Sequence, residues 1–392
     1  MKVKPADRTN SVQEYYFSQK LRQIDQMRQS GKDIINLGIG SPDRSPSGAT
    51  IKRLATEAEK NGVHGYQSYN GIPALRKAFA DWYQKYFGVK LNPDNEILVL
   101  MGSKEGIMHI SMAFVNPGEE VLVPNPGYPT YSSVTNLIGG KIRYYDLDEK
   151  NNWYPDFESL ESSDLSNVKL MWINYPNMPT GTGASTVLLE QIVSFGAKHN
   201  ILICNDNPYS FILNKKYHSI LKVAGASEFC LELNSLSKSH NMAGWRIGMV
   251  AGNSDYLKEI LKVKSNMDSG MFLPMQLAAA EALNNPESWY DEVNAVYEER
   301  RKAAESIMEI LKCDYDRSQT GLFLWGKIPG SIKSCESFVE EILEKANVFI
   351  TPGFIFGSNG KRYLRISLCM DVSRLQEAGK RIALLMERHT KE

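Results

Sequence analysis

Apolar and polar positions recur at helical spacing over residues 12–29, and Gly31 follows where a helix end needs a residue free to take positive φ. The chain then reads as extended through Ile34-Ile35-Asn36-Leu37. Gly38-Ile39-Gly40-Ser41-Pro42-Asp43 is too rich in Gly and Pro for regular structure, so a loop is expected there. A second helical pattern covers 73–87, with proline in the first turn, where its missing N–H costs nothing, and Gly88 at the close. Beyond it come short β-type runs at 96–100, 120–124, 141–147, 168–174 and 201–206. Helical patterns such as 104–115 and 186–198 separate most of them, which is the βαβ rhythm of a mainly parallel sheet.

After Lys238 the pattern turns mostly helical, with a charged amphipathic stretch over 289–311. Two β-type runs at 321–327 and 363–369 then flank a helix-like segment at 336–346, which suggests a small α+β domain. The expected organisation is an N-terminal arm over 1–45 that joins the small domain, a large α/β domain over 46–274 and a small C-terminal domain over 275–392. No internal repeat or low-complexity tract interrupts this pattern.

Composition narrows the function. The 392 residues carry 45 Lys+Arg against 45 Asp+Glu, so no net field recruits nucleic acid or an anionic membrane. The five cysteines (Cys204, Cys230, Cys313, Cys335, Cys369) are scattered without C-x-x-C spacing, and the six histidines show no paired ligand spacing, so neither a disulfide framework nor a metal is expected. The polar start of the chain lacks the apolar core of a secretory signal, and no run of about 18 apolar residues could span a bilayer. A cytoplasmic enzyme acting on small molecules is expected.

Four segments can carry chemistry. Ser235-Leu236-Ser237-Lys238 follows a β-type run, where lost solvation lowers an amine's pKa toward the nucleophilic range, and Arg246 with the flanking hydroxyls suits a phosphate. Asn174-Tyr175-Pro176-Asn177-Met178-Pro179-Thr180-Gly181 and Asp206-Asn207-Pro208-Tyr209 both end strands, where open α/β sheets bind ligands. Gly102-Ser103-Lys104-Glu105-Gly106 opens a helix and can bind an anion through backbone N–H groups, without the spacing of a nucleoside triphosphate loop. Each segment taken singly also reads as a turn, a cap or a polar loop.

Taken in order, from the 36–43 loop to Tyr363-Leu364-Arg365-Ile366-Ser367, these segments resemble the fold-type I, pyridoxal-phosphate-dependent aminotransferases of class I/II, and within them the LL-diaminopimelate aminotransferases and their relatives. The resemblance implies an α/β fold: a large domain whose mainly parallel sheet is flanked by helices, plus a small α+β domain. It implies pyridoxal 5′-phosphate as cofactor, a ping-pong exchange between an amino acid and a 2-oxo acid such as 2-oxoglutarate, and a homodimer with shared sites.

By the same resemblance Lys238 bonds the cofactor aldehyde and moves the substrate proton, Asp206 pairs with the ring nitrogen, and Tyr128 stacks on the ring. Asn177 and Tyr209 hold the ring oxygen. Ser103, Lys104, Ser235 and Arg246 form the phosphate cup, with Ser237 lining it, and Tyr66 reaches the phosphate of the neighbouring subunit. Arg365, rather than its neighbour Arg362, clamps the substrate carboxylate, with Gly40 and Asn177 beside it. Met178 stands where many relatives carry a second asparagine, and it is not expected to supply the ring-oxygen contact. Two rivals remain. One is a β-lyase of sulfur amino acids. The other, a ligand-sensing regulator, would need a DNA-binding domain, for which the roughly 30 residues before the first loop leave no room.

Overall fold

The first helix forms over Tyr16–Gln29, after a 3-10 turn at Asp7–Ser11. Residues 13 and 15 of the expected helix lie outside the described part of the computed structural model, which covers 3–12, 14 and 16–389. Gly31 ends this segment at φ +89°, a conformation glycine reaches without Cβ strain. Strand β1 (Ile35–Asn36) follows, and the 38–43 loop leaves it without regular structure.

The alternation read from the sequence folds into one seven-stranded sheet. Its members are β2 (Ile97–Leu100), β3 (Glu120–Asn125), β4 (Lys141–Asp146), β5 (Val168–Ile173), β6 (Leu202–Asp206), β7 (Cys230–Ser235) and β8 (Gly248–Gly252). Their spatial order is β2-β8-β7-β6-β5-β3-β4. Strands β3 to β7 pair in parallel, and β8 runs antiparallel to both β7 and β2. Near-continuous burial along β5, β6 and β7 is what a parallel sheet covered by helices on both faces demands.

Strand β8 departs from the mostly helical pattern expected after Lys238. Only five residues long and bounded by glycines, it offers no alternation to read. Its first glycine is sterically required: a Cβ on Gly248 would lie 2.8 Å from the Asn234 carbonyl oxygen and 3.0 Å from the Ser103 nitrogen. The helix Ser103–Phe114 thereby starts directly beside the end of β7.

The C-terminal body is built on β9 (Phe323–Lys327), β10 (Val348–Phe349), β11 (Thr351–Pro352) and β12 (Tyr363–Ser367). Strands β11, β12 and β9 form an antiparallel sheet in that order, and β10 pairs in parallel with β1. Ile24 and Ile34 of the N-terminal segment pack with Leu343 and Phe349, which ties the arm to this body. Helices Gly48–Ala58 and Val372–His389 complete elements that the pattern did not single out.

The boundary expected near residue 275 falls inside the helix Leu273–Leu283, which packs on Gly48–Ala58 and Pro73–Phe87. The core changes within the helix Glu287–Ile310. Tyr290 packs with Trp82 and Phe211 of the large body, while Val293 and Tyr297 pack with Leu324 and Ile366 of the small one. All five cysteines are buried free thiols. Among the described residues no helix is long and apolar enough to cross a membrane.

Candidate active site

The carboxyl ends of β5, β6 and β7, the start of the helix Ser103–Phe114, the 38–43 loop and β12 enclose a cavity of about 360 Å³. Ser103, Lys104, Tyr128, Asp206, Tyr209, Ser235, Ser237, Lys238, Arg246, Gly40 and Arg365 all line it, so segments up to 325 residues apart in the chain meet there, from Gly40 to Arg365.

At one end stand hydroxyls and cations. Ser103 is buried at the helix N-terminus, and its Oγ has no hydrogen-bond partner. Ser235 Oγ donates to Ser237 Oγ at 2.8 Å. Arg246 takes φ +57°, and its guanidinium lies so close to Gly102 that a Cβ there would come within 2.2 Å of Nη2. Main-chain N–H groups at a helix start, three serine hydroxyls and an arginine form an anion site.

In the middle, Lys238 Nζ donates to the Gly40 carbonyl at 2.5 Å. Burial lowers its pKa, a shift reinforced by Arg365 and Arg246 and opposed by Cys369 and Asp206. Asp206, 5% exposed, accepts a hydrogen bond at Oδ2 from the Tyr131 hydroxyl at 3.0 Å, while its Oδ1 is buried without a partner. Burial pushes this carboxyl up to about 7, against the pull of Tyr131 and of the Lys238 charge. Tyr131 lies flat against Trp172, with ring centroids 5.1 Å apart, and Tyr128 meets its edge at 5.6 Å.

At the far end Arg365, 4% exposed, donates from Nη2 to the Gly38 carbonyl at 2.8 Å and from Nη1 to Met178 Sδ at 3.2 Å. Its guanidinium lies 3.8 Å from the ring centre of Phe323 and 4.7 Å from that of Phe356, a cation held on aromatic faces. Arg362 points elsewhere, into the carbonyls of Pro329 and Ile332. Gly40 has no room for a side chain, because a Cβ would meet Phe323 at 2.2 Å.

Two expected residues are not in the cavity. Tyr66 is 93% exposed and lies in a separate shallow depression with His64, Gln67 and Phe272. The expectation for Asn177 is corrected by the turn that holds it. The Asn177 amide nitrogen donates to the Asn174 carbonyl at 3.2 Å, and its amide oxygen accepts from Thr180 Oγ1 at 2.8 Å and Thr180 N at 3.3 Å. Folded into its own turn, this side chain does not line the cavity, and Met178 and Asn174 do.

The sequence reading also missed Tyr131 and Phe17. Tyr131 follows Tyr128 by three positions at the start of the helix Pro129–Leu137, a spacing that puts both on one face and could have flagged it. Phe17 comes from the first helix and carried no motif to mark it.

Residues 32–382 match the family described as aminotransferase class I and II. The chain belongs to this family. It is 39% identical to an LL-diaminopimelate aminotransferase from Dehalococcoides mccartyi over 97% of this chain and 98% of that one. It is 40% identical to another from Natranaerobius thermophilus, over 97% and 99%. Its structure superposes on that of BacF from Bacillus subtilis with a TM-score of 0.94 at 33% identity, covering 98% of each chain.

Enzymes of this family use pyridoxal 5′-phosphate and exchange an amino group between amino acids and 2-oxo acids. The cavity fits that cofactor at three points: an anion site with the unpartnered Ser103 hydroxyl, a lysine amine in reach, and a buried carboxylate oxygen, Asp206 Oδ1, that needs a cationic partner. Beside Tyr209 the fit differs, since Met178 brings no hydrogen to donate.

Proposed function

We propose that this aminotransferase takes its amino group from an L-amino acid held by Arg365 and passes it to a 2-oxo acid, and that LL-diaminopimelate is the donor with 2-oxoglutarate the acceptor. The observation that carries the reading is the single cavity in which Lys238 and Asp206 lie between an anion site and a buried, aromatic-backed arginine. The two relatives named above carry LL-diaminopimelate in their names and supply the donor.

Pyridoxal 5′-phosphate, when bound, supplies an electron sink conjugated to the substrate Cα. Ser103, Lys104, Ser235, Ser237 and Arg246 would hold its phosphate, and Tyr128 would pack on its ring. Asp206 would keep a proton on the ring nitrogen, because a buried carboxylate is stabilised by a cation beside it. Lys238 would bind at the aldehyde end, and its amine would serve as the base for the proton on the substrate Cα, a task that suits an amine whose pKa burial has lowered.

Arg365 orients the substrate by pairing its planar fork with both carboxylate oxygens, a geometry lysine cannot reproduce. Gly40, lacking a Cβ, lets that carboxylate approach the backbone. Tyr66, exposed on this chain, enters the neighbouring subunit's cavity in a homodimer.

A donor panel with 2-oxoglutarate as acceptor tests the reading. Formation of glutamate from LL-diaminopimelate well above background is expected. No turnover with that donor removes the substrate assignment. Release of ammonia and pyruvate from cysteine without any need for an acceptor points to β-elimination instead.

A further inference from the structure

The turn that follows β5 spends its amides on itself. Asn174 donates its side-chain nitrogen to the Asp206 carbonyl and accepts from Met178 N at 2.7 Å, and Asn177 is bonded to Asn174 and Thr180. Asn174 and Met178 are the side chains of this turn that line the cavity, and the Met178 thioether, 6% exposed, has its sulfur against Arg365. A thioether accepts weakly and donates nothing.

Resting on the pyridoxal-phosphate reading above, we propose that Met178 takes the place of an amide donor on the ring-oxygen side of the bound cofactor. Among the described residues Tyr209 is then the neutral hydrogen-bond donor on that side. With one donor fewer, the negative ring oxygen is less stabilised, and the proton shared between it and the lysine-linked nitrogen is held to higher pH. The titratable and charged groups that line the cavity with Met178 are Asp206 at the end of β6, Tyr209 after it, Lys238 and Arg246 after β7, Arg365 in β12, Tyr128 and Tyr131 at the helix Pro129–Leu137, and Lys104 at the start of the helix Ser103–Phe114. Of these, Arg365 touches Met178 directly through its sulfur, so Met178→Leu, which removes that contact without adding a donor, serves as the control for it. Met178 is thus a positioning residue that sets the working pH of the site.

The test is a pH titration of the visible absorbance of the full-length protein loaded with pyridoxal 5′-phosphate. Met178→Asn is expected to move the transition down by about one to two pH units, the range expected for one added hydrogen bond to a charged acceptor. Met178→Gln, closer to methionine in length, carries the same expectation should the shorter amide disturb the turn. Met178→Leu is expected to leave the transition in place, as is Asn177→Ala. An unmoved transition in both amide variants overturns the proposal, and so does an upward shift in Asn177→Ala. A wild-type protein that forms no lysine-linked absorbance at all instead overturns the cofactor assignment on which this inference rests.

Discussion

The Tyr131 hydroxyl donates to Asp206 Oδ2 at 3.0 Å and leaves the other oxygen, Oδ1, buried without a partner. The stack of Tyr131 on Trp172 fixes the direction of that donor. A carboxylate held at one oxygen presents the second in a single orientation, which is what pairing with a ring nitrogen requires. Tyr131→Phe keeps the stack and removes the donor. Its expected effect is a fall in kcat/KM of about tenfold to a hundredfold, from the loss of a hydrogen bond to a charged group. Steady-state kinetics beside a cofactor-binding titration measure it, and wild-type rates would exclude the role.

Asp206 also predicts a pH dependence of stability in the cofactor-free protein. Its folded-state pKa, raised to about 7, lies above the unfolded value near 3.8. Between about pH 4 and 7 the folded chain therefore keeps a proton that the unfolded chain has lost. Stability through this group is highest below that window and falls as pH rises through it. Denaturant unfolding at pH 5 and pH 8 should show a drop in the wild type that Asp206→Asn lacks, by up to about 3 kcal/mol. Equal drops in both proteins would mean that the carboxyl is not the titrating group.

Lys238→Ala is expected to lose covalent attachment of the cofactor and to lower single-turnover rates by about 10²- to 10⁴-fold, the usual contribution of a positioned acid-base group. Borohydride trapping followed by peptide mass measurement checks the first part, and rapid-quench kinetics the second.

The two neighbouring arginines should behave differently. Arg365→Ala leaves the substrate carboxylate without its partner, at an expected cost of about 2–4 kcal/mol or roughly 30- to 1000-fold in kcat/KM, mostly through KM. Arg362→Ala, which severs contacts to main-chain carbonyls, should leave KM unchanged and lower thermal stability instead. Comparing KM across the pair decides which arginine holds the substrate.

Shared sites can be tested by mixing subunits. Chains carrying Lys238→Ala and chains carrying Tyr66→Phe, unfolded and refolded together, should regain about a quarter of wild-type sites if Tyr66 serves the neighbour, because half the dimers are mixed and each has one intact site. No recovery over the separately refolded variants would place Tyr66 outside the neighbour's site.

Most of the sheet was legible because its strands are short, apolar and punctuated by turn residues. The cavity followed because Lys238, Asp206 and Asn174 sit at strand ends, where the topology must converge. What escaped was decided by local geometry. Whether Asn177 or Met178 faces inward depends on hydrogen bonds within a tight turn, and composition carries no trace of which one the turn consumes. Strand β8 escaped because three apolar residues between two glycines have no period. Phe17 escaped because a side chain on an amphipathic helix becomes part of a site only when the arm folds back on the C-terminal body.

The 38–43 loop grips the middle and the far end of the cavity through its backbone: the Gly38 carbonyl accepts from Arg365 and the Gly40 carbonyl from Lys238. Two main-chain oxygens thus stand in for a carboxylate and an aldehyde, keeping both cations ordered without a charge of their own. Binding then becomes an exchange of oxygens rather than the ordering of two long side chains, which spares the entropy of freezing them. One short loop thus makes both contacts.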